Sequence, residues 1–356
     1  MRMRRPVRLL IVVNRGGTNV GECFERAALT AGHEVRLIEA RLAMAAPSWL
    51  RRLNWHLCGH RPTRLNRFSV EVLSVCCDWK PNVILATGLA PLNHYMLTRV
   101  RAAGVVTVNY LTDDPWNPAH YAPWFVRALS KYSVVFSPRR ANLPDLQATG
   151  PAAVHYLPFA YDPTLHFVEA PAPDVADHQS DVVFIGGADR DRLPHCRALA
   201  AAGLELAVYG DYWDRYPDMK RFCHGYADTR TLRMATSSAR VCLCLVRRAN
   251  RDGHTMRTFE AAAMGGCLLI EDTAEHREIF GRDGDAVVYF GSIPEMIERA
   301  KFLLQHDADR HRLASAAHAR VTQGGNTYAD RLQTIIDVAC REPAPTRGDS
   351  WDLGRQ

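Results

Sequence analysis

The sequence predicts an α/β protein of two domains, each built on a doubly wound parallel sheet. Short apolar runs alternate with helix-like segments along both halves of the chain, as in parallel strands joined by crossover helices. A stretch at 157–180, with four prolines and few periodic apolar positions, separates the two series. The 356 residues are enough for two domains that each bury a core. We expect the two domains to face each other across a cleft.

These breaks give the expected domain bounds. Residues 1–158 form the N-terminal domain, 159–180 the linker and 181–325 the C-terminal domain. The polar end of the chain, 342–356, contains proline, glycine and charged residues and is predicted to be a disordered tail.

In the first domain the predicted strands are Val7–Val13, a strand opening after Gly32, Asn82–Ala86, Val105–Tyr110, Ser133–Phe136 and Ala153–Tyr156. Gly16 and Gly17 follow the first strand and could let a ligand approach the backbone. The pattern is not G-x-G-x-x-G, however, so a plain tight turn explains it equally well and no dinucleotide site is indicated.

In the second domain the predicted strands are Asp181–Ile185, Glu205–Tyr209, Val241–Val246, Cys267–Glu271 and Ala286–Tyr289. Gly186 and Gly187 close the first of them, in the position that the glycine pair has in the first domain. Asp189-Arg-Asp191 follows and spells D-x-D, a spacing that can bind a metal ion together with a nucleotide. Because aspartate after a glycine turn commonly caps a helix, we interpret Asp189 as a cap.

The loop after the strand Val241–Val246 is predicted to bind phosphate. It contains three arginines, Arg247, Arg248 and Arg251. A helix predicted over Thr255–Met264 follows and ends at a glycine pair. The unpaired N–H groups and the dipole of a helix start favour an anion, and His254 and Thr255 would supply such N–H groups.

Two carboxylates sharpen this prediction. Asp252 and Glu260 have a D-x7-E spacing, so Asp252 precedes the helix and Glu260 lies about one and a half turns inside it. A carboxylate beside a phosphate site can accept two hydrogen bonds from a ribose diol. The phosphate loop and the carboxylate together predict a nucleoside diphosphate ligand. The alternative is that Arg257 and Glu260, three apart on a helix, form an ordinary surface ion pair.

This stretch resembles the nucleotide-binding half of GT-B glycosyltransferases, in particular the spore-maturation-type (CgeB-like) branch. The likeness covers most of 180–335. The matching pieces are Val208–Trp213, His224–Tyr226, Arg257–Glu260, Gly265–Ile270, Glu278–Phe280, Asp283–Asp285 and Asn326–Tyr328 with Arg331. Two residues depart from the pattern: Asp252 stands where related group 1 transferases have glutamate, and Asn326 where many have histidine.

The resemblance implies a GT-B fold and an enzyme that moves a sugar from a nucleotide diphosphate sugar to an acceptor, which could be a protein, a glycan, a lipid or a small molecule. It implies a retaining hexosyltransferase that uses no metal and no other cofactor, since arginines and a helix dipole manage the leaving diphosphate. Glu260 would bind the ribose, Arg257 would join the diphosphate arginines, and Asp252 would contact the transferred sugar. Gly225 and Tyr226 would flank the base. A last helix, 326–341, would cross back onto the first domain.

Asp113 and Asp114 are the candidates on the acceptor side. They follow the predicted strand Val105–Tyr110, where ligands of such sheets bind, and the family has an acidic residue in this region. A carboxylate there could position or deprotonate an acceptor hydroxyl. An Asp-Pro turn that caps a helix is an equally good explanation.

Composition limits the other function classes. The net charge is +6 and no concentrated basic run of the nucleic-acid-binding type occurs, so no nucleic acid partner is expected. The ten cysteines form no C-x2-C pair and lie mostly in apolar runs, which favours buried thiols in a reducing compartment. The apolar run after the basic N-terminus, Leu9–Val13, is too short for a signal sequence, so we expect a cytoplasmic protein.

One further segment, Trp49–Arg67, carries five arginines and two tryptophans. It is either a helix pair with a solvated basic face or a patch that contacts an anionic membrane or a lipid diphosphate. The rival functions for the whole chain are a catalytically silent nucleotide-sugar scaffold or sensor and a nucleotide-sugar epimerase.

Overall fold

The computed structural model describes residues 6–16, 20–169 and 178–341. Contacts divide the chain into two units. Unit 1 comprises Met1–Pro158, Ala249–Arg251 and Tyr328–Gln356, and unit 2 comprises Phe159–Arg248 and Asp252–Thr327. Gly17 and the predicted tail at 342–356 lie outside the described residues. None of the described helices is long and apolar enough to cross a membrane.

Unit 1 contains a six-stranded sheet in the order β2-β1-β3-β4-β5-β6, and all its strand pairs are parallel. The strands are β1 (Arg8–Val13), β2 (Glu34–Glu39), β3 (Val83–Thr87), β4 (Val106–Tyr110), β5 (Val134–Ser137) and β6 (Ala153–Tyr156). All residues of β3, β4 and β5 are buried, as expected for strands that helices cover on both faces.

The helices of unit 1 are α1 (Val20–Thr30), α2 (Ser48–Leu57), α3 (Leu65–Trp79), α4 (His94–Ala102), α5 (Pro123–Leu129), α6 (Leu143–Thr149) and α13 (Tyr328–Arg341). The final helix, α13, packs on α1, where the rings of Phe24 and Tyr328 meet edge to face with centroids 5.3 Å apart. Most of these helices bury one apolar stripe, but α2 buries none of its residues.

Unit 2 contains a five-stranded parallel sheet in the order β11-β10-β9-β7-β8. Its strands are β7 (Ser180–Ile185), β8 (Leu206–Tyr209), β9 (Ala239–Cys244), β10 (Leu268–Glu271) and β11 (Val288–Phe290). Its helices are α7 (Leu193–Ala201), α8 (Thr229–Ser238), α9 (Met256–Ala263), α10 (Ala274–Phe280), α11 (Ile293–Gln305) and α12 (Asp307–Gln323). Two parallel sheets with crossover helices confirm the predicted α/β class.

The predicted strand over Val241–Val246 ends two residues early, and the reason is local. The N–H of Val246 donates to the carboxylate Oε2 of Glu271 at 2.6 Å instead of to a neighbouring strand. At the other end of the following helix, the predicted glycine cap is confirmed: Gly265 has φ +79, and a Cβ at Gly266 would lie 2.7 Å from Cys242 Sγ. The glycine pair therefore lets α9 pack directly against β9.

Candidate functional site

The strand order of the second sheet reverses between β7 and β9. The chain runs from β7 outward to β8 and then places β9 on the other side of β7. Doubly wound sheets bind ligands outside the carboxyl ends of their strands at such a switch point. The loop after β7 holds Gly186 and Gly187, and the loop after β9 holds Arg247 and leads into α9. The predicted glycine pair and the predicted phosphate loop therefore meet where a ligand is expected.

Backbone contacts fix the turn at Gly186 and Gly187. Gly210, after β8, has φ +126, and a Cβ there would lie 2.6 Å from the carbonyl carbon of Gly186. A Cβ at Gly187 would lie 3.3 Å from the carbonyl oxygen of Asp211. The indole N–H of Trp213, which is fully buried, donates to the Gly186 carbonyl at 2.8 Å. Larger residues at these positions would therefore displace the turn.

Arg192 is a buried arginine beside this turn that the sequence prediction missed. Its Nη1 donates to the Gly187 carbonyl at 3.2 Å. Burial, and then the charge of Arg247, lower the pKa of Arg192. Asp189 Oδ2 lies 3.6 Å from Arg192 Nε and 3.5 Å from Arg247 Nε, so the two guanidinium groups share one carboxylate. A phosphate could replace Asp189 there, because arginine binds carboxylate and phosphate with the same fork of donors.

Two aspartates shape the loops at this edge. Asp189 Oδ1 accepts hydrogen bonds from the N–H groups of Asp191 and Arg192 at 3.0 and 2.9 Å, which agrees with a capping residue. Asp252 closes the loop after β9, because its Oδ2 accepts from the N–H of Arg247 at 3.3 Å and its own N–H donates to the Arg247 carbonyl at 3.2 Å. Both carboxylates thus hold backbone turns that position arginines.

The start of α9 is held by a buried polar chain. The N–H of Thr255, the N-cap residue, donates to Thr258 Oγ1 at 3.1 Å, and Thr258 Oγ1 lies 3.1 Å from His276 Nε2. His276 Nδ1 lies 2.7 Å from the Glu271 carbonyl, which can only accept, so Nδ1 carries the proton and Nε2 accepts from Thr258. Burial lowers the pKa of His276 to about 4, so the ring is neutral near pH 7.

His254 precedes α9 and is fully buried. Its Nε2 accepts from the N–H of Phe159 at 3.2 Å, so Nδ1 carries the proton and donates to Glu275 Oε2 at 2.6 Å. Gly253 makes room for this contact, because a Cβ there would lie 2.4 Å from Glu275 Cδ. Both ring nitrogens of His254 are therefore used in hydrogen bonds within the protein. A ligand could contact this residue only through its backbone.

Glu260 lies on α9 with its side chain 1% exposed. Its Oε2 forms an ion pair with Arg257 Nη1 at 2.7 Å, but the two groups do not form a hydrogen bond. His166 Nδ1 accepts from the N–H of Asp162 at 3.0 Å, so its Nε2–H faces Glu260 Oε1, at 3.6 Å. Within the described residues neither carboxylate oxygen of Glu260 has a well-formed hydrogen bond. Buried carboxylates are rarely left so, and the observation marks Glu260 as a ligand-binding candidate.

The remaining predicted residues of unit 2 lie around this edge. Arg248 is exposed, and its Nη2 contacts Glu271 Oε1 at 3.2 Å. Gly225 has φ +78, and its carbonyl accepts from the N–H of Gly210 at 2.8 Å, beside the glycine turn. Tyr226, the next residue, is 68% exposed. Tyr226 is therefore an aromatic surface close to the glycine turn.

In unit 1, both carboxylate oxygens of Asp114 accept hydrogen bonds from other residues of the same unit. Its Oδ2 accepts from Arg251 Nε at 2.5 Å, and its Oδ1 accepts from Arg251 Nη2 and from the N–H of Trp116, both at 3.1 Å. The hydrogen bonds to Asp114 and then to Asp145 raise the pKa of Arg251. Arg251, predicted as a diphosphate ligand, is thus occupied by two carboxylates of unit 1. Asp113 lies beside this pair, and its Oδ1 accepts from Asn250 Nδ2 at 3.1 Å.

The glycine turn of unit 1 is only partly described. Gly16 has φ +145, which favours glycine, and Gly17 lies outside the described residues. Glu39 lies nearby and accepts from the N–H groups of Arg15 and Arg41 at 2.9 and 3.2 Å. In the described ranges no group of three or more His, Cys, Asp or Glu side chains is placed to hold a metal ion. Burial raises the pKa of the thiols of Cys76, Cys244 and Cys267 to about 12.

Comparisons with known proteins place the fold. Residues 192–337 match the family model Glyco_trans_1_2, described as glycosyl transferase-like. No curated protein matches the chain. Sucrose-phosphate synthase from Thermosynechococcus elongatus superposes with a TM-score of 0.68 at 12% identity, over 95% of this chain and 98% of that one.

Two other solved structures have the same architecture. Anabaena HepE in complex with UDP and glucose gives a TM-score of 0.65 at 14% identity, over 94% of this chain and 99% of that one. A UDP-forming α,α-trehalose-phosphate synthase from Burkholderia xenovorans gives 0.63 at 14% identity, with the same shares. The chain thus has the GT-B fold, as the resemblance implied. The match to the CgeB-like branch stays a prediction.

Proposed function

We propose that the chain is a glycosyltransferase that moves a sugar from a nucleotide diphosphate sugar to an acceptor hydroxyl without a metal. The observation that carries this proposal is the group of residues at the β7–β9 switch point. Arg192 and Arg247 share one carboxylate there, and α9, which starts after the same loop, carries a buried glutamate that lacks good hydrogen bonds. The family match over 192–337 covers both arginines and α9.

The diphosphate would bind Arg247, Arg192 and the N–H groups at the start of α9. As the glycosidic bond breaks, negative charge grows on the diphosphate, and fixed guanidinium and N–H donors stabilise that charge. The frame of His254, Thr258 and His276 would keep the helix start in place during this step. Arg248 would play a minor part because it is exposed and contacts Glu271.

The ribose diol would bind Glu260. Its two hydroxyl donors would supply the hydrogen bonds that the carboxylate lacks. Arg257 covers this carboxylate, so donor binding requires Arg257 to turn away; its side chain is 21% exposed, which gives it room to reach a diphosphate. We infer a UDP sugar as the donor, because HepE and the trehalose-phosphate synthase are described with UDP or as UDP-forming.

Of the two acceptor-side candidates, Asp113 fits better. Asp114 is 1% exposed and both its oxygens already accept hydrogen bonds from Arg251, so it is poorly placed to contact an acceptor hydroxyl. Asp113 is half-buried and would position the acceptor hydroxyl. Asp252 would contact the transferred sugar, Gly225 and Tyr226 the base, and we propose hexosyl transfer with retention.

The test is a panel of nucleoside diphosphates and their sugars. Binding would be scored by thermal shift and turnover by slow hydrolysis of the donor. At 100 times its dissociation constant a ligand adds about 2.7 kcal/mol to the free energy of unfolding, an easily measured shift. We expect one nucleotide to stabilise the wild type but not Glu260→Ala. Glu298→Ala, an exposed glutamate on α11, is the matched control and should bind as the wild type does.

A silent nucleotide-sugar sensor is the second candidate, because Asp252 and Asn326 depart from the pattern of related transferases. Selective binding that depends on Glu260, with no donor hydrolysis and no transfer to any acceptor, would support the sensor. Interconversion of donor sugars without an acceptor would identify an epimerase. If no nucleotide binds, the proposed site is wrong.

A further inference from the structure

Helix α2 is an exposed amphipathic helix in unit 1. None of its ten residues is buried. Trp49, Leu53 and Leu57 lie at i, i+4 and i+8, on one face, and are 66%, 47% and 74% exposed. Large apolar side chains seldom line up on one exposed face of a helix unless the face has a partner.

The charges around α2 have one sign. From Ala40 to Val70 the chain contains six arginines and no aspartate or glutamate. Four of the six, Arg51, Arg52, Arg61 and Arg64, are exposed and form no ion pair with a described carboxylate. Arg67, by contrast, does form an ion pair: its Nε lies 2.9 Å from Glu71 Oε1. The surface formed by α2 and these arginines is therefore positively charged and attracts a negatively charged surface.

We propose that α2 and the arginines beside it bind an anionic lipid bilayer at its surface. Trp49, Leu53 and Leu57 would enter the interface between headgroups and acyl chains, as the apolar face of an interfacial helix does. Arg51 and Arg52 would contact anionic headgroups, and Trp55 would lie at headgroup depth. The helix is far too short to span a bilayer, so the contact is peripheral.

The charge pattern favours a bilayer over a second copy of this chain. Two copies that met through α2 would bring their arginines together without acidic partners, because residues 40–70 contain none. A bilayer with anionic lipids supplies both an apolar layer and a dense negative charge. This inference does not rest on the proposed transferase activity.

The experiment is co-sedimentation of the full-length protein with vesicles of phosphatidylcholine alone or with about one third phosphatidylglycerol. We expect binding only to the anionic vesicles, and weaker binding as salt shortens the screening length. The variant R51E/R52E should bind at least about 30-fold more weakly, since each lost basic residue contributes about a factor of five and each added glutamate is repelled by the anionic lipids. The triple variant W49A/L53A/L57A should lose most of its binding.

Matched controls test whether vesicle binding depends on α2 and its arginines or only on the overall charge and exposed apolar area of the protein. R282E/R341E reverses two exposed arginines elsewhere, and Phe302→Ala removes an exposed aromatic ring of α11; both should bind as the wild type does. Circular dichroism and thermal unfolding should be unchanged in all variants, because the substituted side chains are exposed. Equal binding by the wild type and the two α2 variants overturns the proposal, as does the absence of binding to anionic vesicles. A dimer in sedimentation that the triple variant abolishes, without vesicle binding, assigns the face to a second copy.

Discussion

The protein contains two arginine–carboxylate pairs with buried carboxylates that differ in their hydrogen bonds. In unit 1, Asp114 accepts two hydrogen bonds from Arg251 and one from the backbone of Trp116. In unit 2, Glu260 lies 2.7 Å from Arg257 but neither carboxylate oxygen has a well-formed hydrogen bond. Both carboxylates are about 1% exposed.

The difference bears on whether each carboxylate stabilises the fold or is available to a ligand. A buried carboxylate that accepts three hydrogen bonds, as Asp114 does, has been compensated by the protein itself. A buried carboxylate that accepts none from the described residues, such as Glu260, still has the capacity to bind a ligand with two hydroxyls. The comparison therefore supports a stabilising role for Asp114 in unit 1 and the proposed ligand-binding role of Glu260.

The largest expected effect is on the stability of unit 1. Asp114→Ala should lower the free energy of unfolding by about 3 kcal/mol, because it removes one partner of a buried pair and a turn cap. Arg251 keeps Asp145, at 2.6 Å, which holds the loss below the upper end of the range for such pairs. Urea unfolding followed by circular dichroism measures this change.

Glu260→Gln is the matched variant in unit 2. It removes the charge of Glu260 but keeps a polar side chain of the same size beside Arg257 and breaks no well-formed hydrogen bond within the described residues, so we expect a smaller loss than that of Asp114→Ala. If Glu260→Gln costs as much as Asp114→Ala, Glu260 is a structural residue and the comparison fails.

The second prediction concerns His276, which accepts a hydrogen bond from Thr258 near the start of α9. His276 has a pKa of 6.5 when unfolded and about 4 when folded, so the unfolded state takes up its proton first as the pH falls. The lowered pKa of His276 contributes about 3 kcal/mol to the free energy of unfolding. This contribution is complete above pH 6.5 and is lost as the pH falls from 6.5 to 4. The charges of the neighbouring His254, Glu275 and Asp272 also act on the pKa of His276.

The measurement compares unfolding free energies at pH 7.5, 5.5 and 4.5. His276→Asn retains a donor for the Glu271 carbonyl and should flatten the decline relative to the wild type. His311→Asn, on the exposed face of α12, should leave the decline unchanged. An equal decline in all three proteins would mean that other groups carry the pH dependence.

The sequence was sufficient for the fold class and for the switch-point loops, because alternating apolar runs and glycine turns are local signals. It could not distinguish Asp114 from Glu260, since which donors surround a carboxylate depends on residues far away in the chain, such as Arg251 for Asp114 and His166 for Glu260. Arg192 has only a weak sequence signal, which is its position five residues after Gly187. The pairing of His276 with Thr258 has no sequence signal, because the two residues lie on different helices.

The smallest expected effect distinguishes two adjacent arginines of the phosphate loop. Arg247 shares Asp189 with the buried Arg192, whereas Arg248 is 65% exposed and contacts Glu271. Charge-assisted hydrogen bonds in a partly buried site contribute about 1.5–3 kcal/mol, so Arg247→Ala should weaken binding of the selected nucleoside diphosphate by about 10-fold or more. Arg248→Ala should change the affinity less than about threefold, because an exposed charge is screened by solvent and salt. Isothermal titration at two salt concentrations measures both, and a larger loss for Arg248→Ala would move the diphosphate site away from Asp189 and toward the carboxyl end of β10.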